Sequence, residues 1–251
     1  MDYTLSKVQI ADGVCAVMAD TSGFKTARIS FSFASNLSES NSEYALLSKL
    51  ILRSSEDFPD FTQISRRLAE LYGATLSSSV MKIGEQQIIK ISISFIADRF
   101  ALDGGSVAEN CIGLLSDLIF RPNIKNGSFN LRETESEKRL LLQQIESEKN
   151  DKSVYARLRL EQIMFKDELY SLNKYGDAQT IEKITPDSEA QAYLEYLKKA
   201  VIRVNIIGKA DFDKALLHLK ERFASIERSP EKIETAFVLS GEDVKYESET
   251  D

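Results

Sequence analysis

Apolar and polar residues alternate along several stretches of the chain, as they do in strands with one buried face. Residues 27–33 alternate in this way, and in residues 89–95 the isoleucines and the phenylalanine share one side. Residues 74–81 precede the second stretch, and the glycine-containing turn between them predicts a hairpin. Residues 8–18 and 200–207 have the apolar content of further strands.

Apolar residues spaced three and four apart predict helices between these strands. The predicted helices cover residues 43–52, 61–72, 107–119, 131–147, a further helix ending at 165, one opening at 186, and 212–223. Ser42, Asp60 and Asp211 are expected to cap three of them, and Pro186 suits the first position of another.

Hairpins with intervening helices, rather than strict βαβ repeats, indicate an α+β fold. We expect a mostly antiparallel sheet of about five to six strands with helices packed on one face. Residues 1–239 are interpreted as a single domain. The polar, acidic residues 240–251 read as a linker or a disordered tail toward a missing second domain.

The net charge of −7 changes which partners are plausible. Nucleic acid and anionic membrane surfaces both require clustered Lys and Arg, so neither is expected as a partner. No apolar run reaches the roughly 20 residues of a transmembrane helix, and the first residues do not resemble a signal peptide. Cys15 and Cys111 are interpreted as reduced core residues, which makes the cytoplasm the simplest compartment.

The scarcity of histidine limits the available chemistry most strongly. The chain of 251 residues has one histidine, His218, and two cysteines. A catalytic zinc site takes three protein ligands, drawn mostly from His, Cys and carboxylates. A serine or cysteine nucleophile needs a histidine beside it. Neither arrangement is expected here.

Several stretches in a fixed order nevertheless resemble the insulinase/pitrilysin family of inverted zinc metallopeptidases. They are the strand 27–33, the loop 36–40, the helix ending at 50–55, and the segments 71–74, 137–145, 170–173, 184–186 and 204–208. The resemblance covers nearly the whole chain and implies the metallohydrolase domain found in mitochondrial processing peptidase.

The family's zinc motif, His-x-x-Glu-His, is replaced throughout in this alignment. The resemblance places the motif on Ala45, Leu46, Leu47, Ser48 and Lys49, and it places the distal glutamate on Gln144. The Lys49 ammonium would repel a divalent cation at this position. We therefore expect no zinc, no other cofactor, no activated water and no peptide hydrolysis.

The resemblance implies a non-catalytic member represented by its N-terminal domain. Such a chain would support an active zinc-peptidase subunit, or pack against its own second domain, and could hold unfolded peptide. The peptide could add at a sheet edge, supplied by residues 89–95 or 27–33. The alternative is a scaffold subunit of a larger complex without peptide binding. An active zinc endopeptidase is the least favoured reading.

Other chemical groupings have simpler explanations. Ser48 and Lys49 are adjacent on a helix and point about 100° apart, so they form no catalytic pair. The glutamates between 133 and 148 are interpreted as a solvated helix face rather than a cation site. His218 is interpreted as structural, Gly104–Gly105 as a turn, and Ser77–Ser79 as part of a strand.

Overall fold

A computed structural model describes residues 5–21, 23–102, 105–208 and 211–233. These residues contain a six-stranded sheet in the order β1-β2-β6-β3-β5-β4. The strands are β1 (Leu5–Ala11), β2 (Val14–Ala19), β3 (Thr26–Asn36), β4 (Thr75–Ile83), β5 (Gln86–Ile96) and β6 (Val201–Ile207). Every neighbouring pair is antiparallel except β2 and β6, which run parallel. The predicted α+β class and mostly antiparallel sheet are confirmed.

Eight α-helices lie within the described residues. They are α1 (Asn41–Leu50), α2 (Phe61–Glu70), α3 (Val107–Phe120), α4 (Leu131–Asn150), α5 (Lys152–Met164), α6 (Ala178–Lys183), α7 (Pro186–Lys199) and α8 (Phe212–Ala224). Short 3-10 turns cover Asp98–Phe100 and Leu169–Ser171. All the predicted helices are present, and the short α6 is an addition. The predicted tail, residues 240–251, and the predicted domain end at 239 lie outside the described residues.

The core forms between the helices and one face of the sheet. The alternation along β5 places its predicted apolar side inward. The buried face is formed by Val14, Ala16, Met18, Ile29, Phe31, Phe33, Ile89, Ile91, Ile93, Phe95, Ile202, Val204 and Ile206. On the opposite face, Ser77 lies beside Ser92 and Ser92 beside Ser30 in the strand register. The Oγ atoms of Ser77 and Ser92 are 2.9 Å apart.

Local capping fixes where most helices begin. The Asp60 carboxylate accepts a hydrogen bond from the Gln63 N–H at 2.9 Å, and Asp211 accepts one from the Lys214 N–H at 3.1 Å. Thr185 caps α7 in a reciprocal capping box, with Pro186 at the first helical position. These caps agree with the sequence predictions.

The predicted cap at Ser42 is wrong. Helix α1 begins earlier, at Asn41, with Ser40 at the N-cap and no side-chain cap hydrogen bond; the Asn41 side chain accepts a hydrogen bond from the Ser38 N–H at 3.1 Å. Ser42 lies inside the first turn, where its Oγ accepts the Asp177 N–H at 3.2 Å. Gly176 has a φ of +74°, and a Cβ there would overlap Ser42. The loop therefore requires glycine to approach α1 closely.

The expectation about the sheet edge is also wrong. Residues 89–95 lie in β5 and residues 27–33 in β3, and both strands are interior because each has neighbours on two sides. Within the part of the chain that the structure describes, the edge strands are β1 and β4. The local sequence could not show this, because β3 is flanked by β6, which comes more than 160 residues later, and β5 pairs with the distant β3 as well as with its hairpin partner β4.

The two cysteines differ in environment. Cys111 is buried in α3, and burial raises the pKa of its thiol to about 12. Cys15 is only half-buried, on β2, so the prediction of two core cysteines holds for Cys111 alone. Both are free thiols. Within the described ranges, none of the helices is long and apolar enough to cross a membrane.

Candidate functional site

Helix α1 carries the positions that the resemblance aligns with the zinc motif. Ala45, Leu46, Leu47 and Ser48 are buried, and Lys49 is half-buried in the last turn. The Ser48 hydroxyl donates a hydrogen bond to the Ala45 carbonyl at 2.7 Å. Gln144 lies on α4 with its side chain exposed. Helix α1 is therefore packed into the core through residues 45–48, which the resemblance aligns with the zinc motif.

These residues do not fit a zinc ion. Ala45, Leu46 and Leu47 carry no donor atoms, and the Ser48 hydroxyl is already used within the helix. A protonated Lys49 has no lone pair, and its charge opposes that of the metal. Over the described part of the chain, no group of three or more His, Cys, Asp or Glu side chains is arranged to hold a metal ion.

Two of the acidic residues of α4, Glu133 and Glu137, form contacts that join α4 to the end of α1. Arg53, just after α1, forms an ion pair with the buried Glu137. The Ser54 hydroxyl donates to Glu133 at 2.9 Å, and burial raises the pKa of the Glu133 carboxyl. The interpretation of this acidic run as a fully solvated face is therefore corrected for these two residues.

The other acidic residues of α4 each have a cationic neighbour. Glu135 pairs with Lys138 at 3.0 Å, Glu146 with Lys149 at 3.5 Å, and Glu148 with Lys174 at 2.9 Å. Glu148, 11% exposed, is thus a third member of the run that is not solvated, and the acidic residues contact separate partners rather than a shared centre.

The edge strand β4 is the second feature of the candidate site. Among the described residues, β4 pairs only with β5, so its other side presents backbone N–H and C=O groups to a possible added strand. Ser77, Ser79 and Met81 are exposed along it. Such an edge can accept an extended peptide through main-chain hydrogen bonds.

A buried lysine ties the end of β4 to the segment after α5, which sequence reasoning missed. The Lys82 Nζ atom lies 2.5 Å from a Glu161 carboxylate oxygen. It also donates to the carbonyls of Tyr170 at 2.9 Å and Leu172 at 3.3 Å. Lys82 falls on the inward side of β4, two residues after Val80. A lysine at an inward position of a strand was the sequence feature that could have indicated a buried ionic contact.

The remaining predicted candidates lie elsewhere. His218 is on α8 and borders a cleft with α3, away from α1. Gly104 lies outside the described residues, and Gly105 precedes α3. Ser48 and Lys49 form no mutual contact among the hydrogen bonds and ion pairs of the described residues, as expected for adjacent helical positions.

Comparison with known proteins supports the resemblance. No family model matches the chain. The chain is 27% identical over 243 residues to a Bacillus subtilis (strain 168) protein named "Probable inactive metalloprotease YmfF". That match covers 93% of this chain and 57% of the relative.

Solved structures share the fold. A conserved protein from Enterococcus faecalis V583 superposes with a TM-score of 0.84 at 28% identity, covering 92% of this chain and 54% of the other. A peptidase M16 inactive domain from Pseudomonas fluorescens gives a TM-score of 0.72 at 18% identity, covering 93% and 53%. The chain spans about half the length of each of these relatives.

The fold is therefore that of an M16 peptidase domain. In sequence, the chain is similar over about half of the relative's length to the Bacillus subtilis protein whose name describes a probable inactive metalloprotease.

Proposed function

We propose that this chain is the first domain of a non-catalytic M16 homologue that holds peptide or supports an active peptidase subunit. One observation carries the proposal. Helix α1 is kept in the core at the position the resemblance gives to the zinc motif, while Ala45, Ser48 and Lys49 replace its ligands and base. A fold retained without its metal chemistry suits binding or assembly.

A partner is supported by helix α5. None of its 13 residues is buried, although it contains Val154, Leu158 and Ile163. Leu160 and Met164, one turn apart, are 55% and 57% exposed. An apolar helix face without a cover is typical of an interface. The relatives are about twice as long as this chain. We propose that a second domain, equivalent to the unmatched half of the relatives, or a homologous catalytic subunit covers this face of α5.

Peptide holding is supported by the open edge of β4. A peptide strand added there would gain main-chain hydrogen bonds along Ser77–Met81 without any catalytic group. We propose β4, rather than β3 or β5, as the strand that receives it. The cytoplasmic location expected from the sequence stays a prediction.

Metal analysis with a restored variant tests both the inactivity and the motif placement. The wild-type chain, purified without chelator, is expected to hold no stoichiometric zinc and to cleave no denatured peptide. The variant Ala45→His/Ser48→Glu/Lys49→His/Gln144→Glu is expected to bind one zinc ion. Circular dichroism establishes that the variant folds.

Each alternative outcome is distinct. Stoichiometric zinc in the wild-type chain, removed by chelator together with peptidase activity, contradicts the proposal. A folded variant that binds no zinc shows that the motif lies elsewhere.

Co-purification from the native cell separates a peptidase partner from the scaffold alternative. We expect an active zinc peptidase, or the chain's own second half, to be recovered. The Leu160→Lys/Met164→Lys variant should reduce that recovery, whereas Leu194→Lys, changing a residue 57% exposed on α7, should not. Recovery only with unrelated subunits, with no peptide binding in solution, favours a scaffold.

A further inference from the structure

The six strands differ in charge from the rest of the chain. The chain has 39 Asp and Glu residues against 32 Lys and Arg, and its net charge is −7. The six strands nevertheless contain no Asp or Glu, whereas they contain the cations Lys7, Arg28, Lys82, Lys90 and Arg203. Lysine and glutamate are both depleted in strands, so strand propensity does not explain this bias in sign. The sheet therefore concentrates positive charge in an acidic protein.

Most of these cations lie on the face of the sheet that the helices leave open. Lys82 is the exception, because it points to the core side and pairs there with Glu161. The remaining cations are exposed or half-buried, and none of them forms an ion pair among the described residues. They form the outer basic face, which consists of Lys7, Arg28, Lys90 and Arg203. Its positive charge is not compensated by carboxylates of the described part of the chain.

The strand register brings this charge close to the open edge of β4. Arg203 lies beside Ser32, Ser32 beside Lys90, and Lys90 beside Ser79, so these four residues form one row across the sheet. Ser79 ends the row on the edge strand β4 and is exposed. Neighbouring strands lie about 4.8 Å apart, so a strand added beside β4 would be about 10 Å from β5. A lysine has a flexible four-carbon stem, and the small Ser79 leaves the path across β4 open.

Lys90 is the cation that can use this path. Among the described residues, it forms neither a hydrogen bond nor an ion pair. By contrast, Arg28 donates from Nε to the Ser94 hydroxyl at 2.8 Å. At the end of β3, the Glu231 carboxylate already accepts the Asn36 N–H at 3.1 Å. An unpaired, half-buried ammonium group beside an open strand edge favours an anionic side chain on the strand that is added there.

We propose that the β4 edge binds acidic peptides selectively. An extended peptide pairs with Ser77–Met81, and a peptide carboxylate in the row of Ser79 accepts a hydrogen bond from the Lys90 ammonium group, which extends across β4. Arg28 and Arg203 attract the same peptide at longer range. The inference rests on the proposed peptide-holding function and names the class of peptide. It runs against the net charge of the chain, which by itself would attract basic peptides.

Three matched peptides test this selectivity. Alternating Thr-Glu, Thr-Gln and Thr-Lys peptides of equal length each present one kind of polar side chain on one face when extended. Fluorescence anisotropy with the full chain measures their dissociation constants. We expect the Thr-Glu peptide to bind about tenfold more tightly than the Thr-Gln peptide, and the Thr-Lys peptide to bind most weakly. Added salt should reduce these differences.

Variants assign the preference to one side chain. Lys90→Glu should reverse it, so that the Thr-Lys peptide binds more tightly than the Thr-Glu peptide. Lys90→Gln, which only removes the charge, should leave less than about a threefold preference. The matched control Lys220→Glu changes the net charge by the same amount at an exposed position of α8 and should leave the preference unchanged. Circular dichroism verifies that the variants fold, and a folded Lys90→Glu variant with the wild-type preference would overturn the proposal.

The outcomes also separate this inference from the function on which it rests. Equal affinities for the three peptides, or tightest binding of the Thr-Lys peptide, would overturn the acidic preference and leave peptide holding intact. Binding of none of the peptides would overturn peptide holding as well. Displacement of the Thr-Glu peptide by an oligothymidylate of equal charge, at a lower concentration than unlabelled Thr-Glu peptide requires, would show a nucleic-acid surface instead and overturn the proposal.

Discussion

Helices α3 and α5 are close in length and both rich in apolar residues, yet they differ in how deeply those residues are buried. Nine of the 14 residues of α3 are buried, and none of the 13 residues of α5 is. Helix α3 packs between β5 and α8, whereas α5 contacts mainly α4 and the 3-10 turn Leu169–Ser171. An apolar pattern with helical spacing therefore predicts a helix. Whether the apolar face of that helix is buried depends on which other elements of the chain pack against it.

The difference also separates two roles within one domain. Burial of α3 stabilises the sheet-and-helix core, because each apolar side chain removed from water favours folding. The apolar residues of α5 contribute little to the fold of this chain alone. Apolar side chains this exposed are expected where another surface covers them, which is the basis of the proposed interface.

The largest expected effect comes from truncating the same residue type in the two helices. Leu115 in α3 is fully buried, and Leu160 in α5 is 55% exposed. We expect Leu115→Ala to lower the free energy of unfolding by about 3 kcal/mol, because it leaves a cavity. Leu160→Ala should change it by less than about 0.5 kcal/mol. Urea unfolding followed by circular dichroism measures both.

Protein concentration provides the control for this pair. If Leu160→Ala is as costly as Leu115→Ala, and the cost grows with concentration, then the α5 face is buried in a self-associated form. An equal cost at every concentration would mean that α5 packs within the monomer, and the comparison would fail.

An intermediate effect is expected where α5 is anchored. Lys82 and Glu161 are 9% and 13% exposed, and Arg157, 2.7 Å from Glu161, is the other cation of this group. Lys82→Met should cost about 2 kcal/mol, below the usual range for a broken buried pair, because Arg157 still compensates Glu161. Hydrogen exchange should rise along α5 while α3 stays protected.

The matched control removes a lysine from an exposed pair. Lys199 and Glu195 lie 2.7 Å apart, and each is 54% exposed. Lys199→Met should cost less than about 0.5 kcal/mol. If the two variants are equally stable, or if exchange rises in α3 as much as in α5, Lys82 does not hold α5 in place.

Much of the fold was predictable because it depends on local signals. The β4–β5 hairpin follows from alternation on both sides of a short glycine turn, and Asp60 and Asp211 cap their helices as their positions predict. Ser42 failed as a cap because α1 already begins at Asn41, and the Ser42 hydroxyl instead accepts the N–H of Asp177, 135 residues later. A distant partner of this kind cannot be predicted from the local sequence.

Nonlocal features were beyond the same reasoning. The interior position of β3 results from β6 pairing with it across the chain, and no local pattern reports that. The Lys82 contacts join β4 to residues about 80 to 90 positions later. For the candidate site, the resemblance predicts that Ala45, Ser48 and Gln144 stand at ligand or base positions, but the sequence could not show that Ala45 and Ser48 are buried while Gln144 is exposed.

The smallest expected effect concerns a buried carboxyl that, unlike Glu161 on α5, has no cation. Glu189 of α7 is fully buried, and neither of its oxygens has a hydrogen-bond partner among the described residues. Burial, with a smaller contribution from Glu43, raises the pKa of the Glu189 carboxyl well above 4.5. The folded state therefore keeps a proton that the unfolded state releases.

The sign of the pH dependence follows from this proton. Stability from Glu189 is fully present below the unfolded pKa of about 4.5 and is lost as pH rises toward the folded value. Glu189→Gln removes the charge but keeps the shape. We expect the variant to be about 1 kcal/mol more stable than the wild-type chain at pH 8 and nearly equal to it at pH 4. Urea unfolding at both pH values measures the difference.

Glu195, on the same helix, provides the matched control because it is exposed and Lys199 lowers its carboxyl pKa. Glu195→Gln should give no gain at pH 8, since its charge is already favourable in the folded state. A stability gain at pH 4 as large as that at pH 8 would show that Glu189→Gln acts through packing rather than through ionisation. Equal gains from both variants at pH 8 would instead reflect the net charge of −7. The interpretation is supported only if Glu189→Gln alone raises the free energy of unfolding, and only at high pH. The same core that stabilises α3 by burying apolar residues would then be destabilised by the unpaired Glu189 carboxylate.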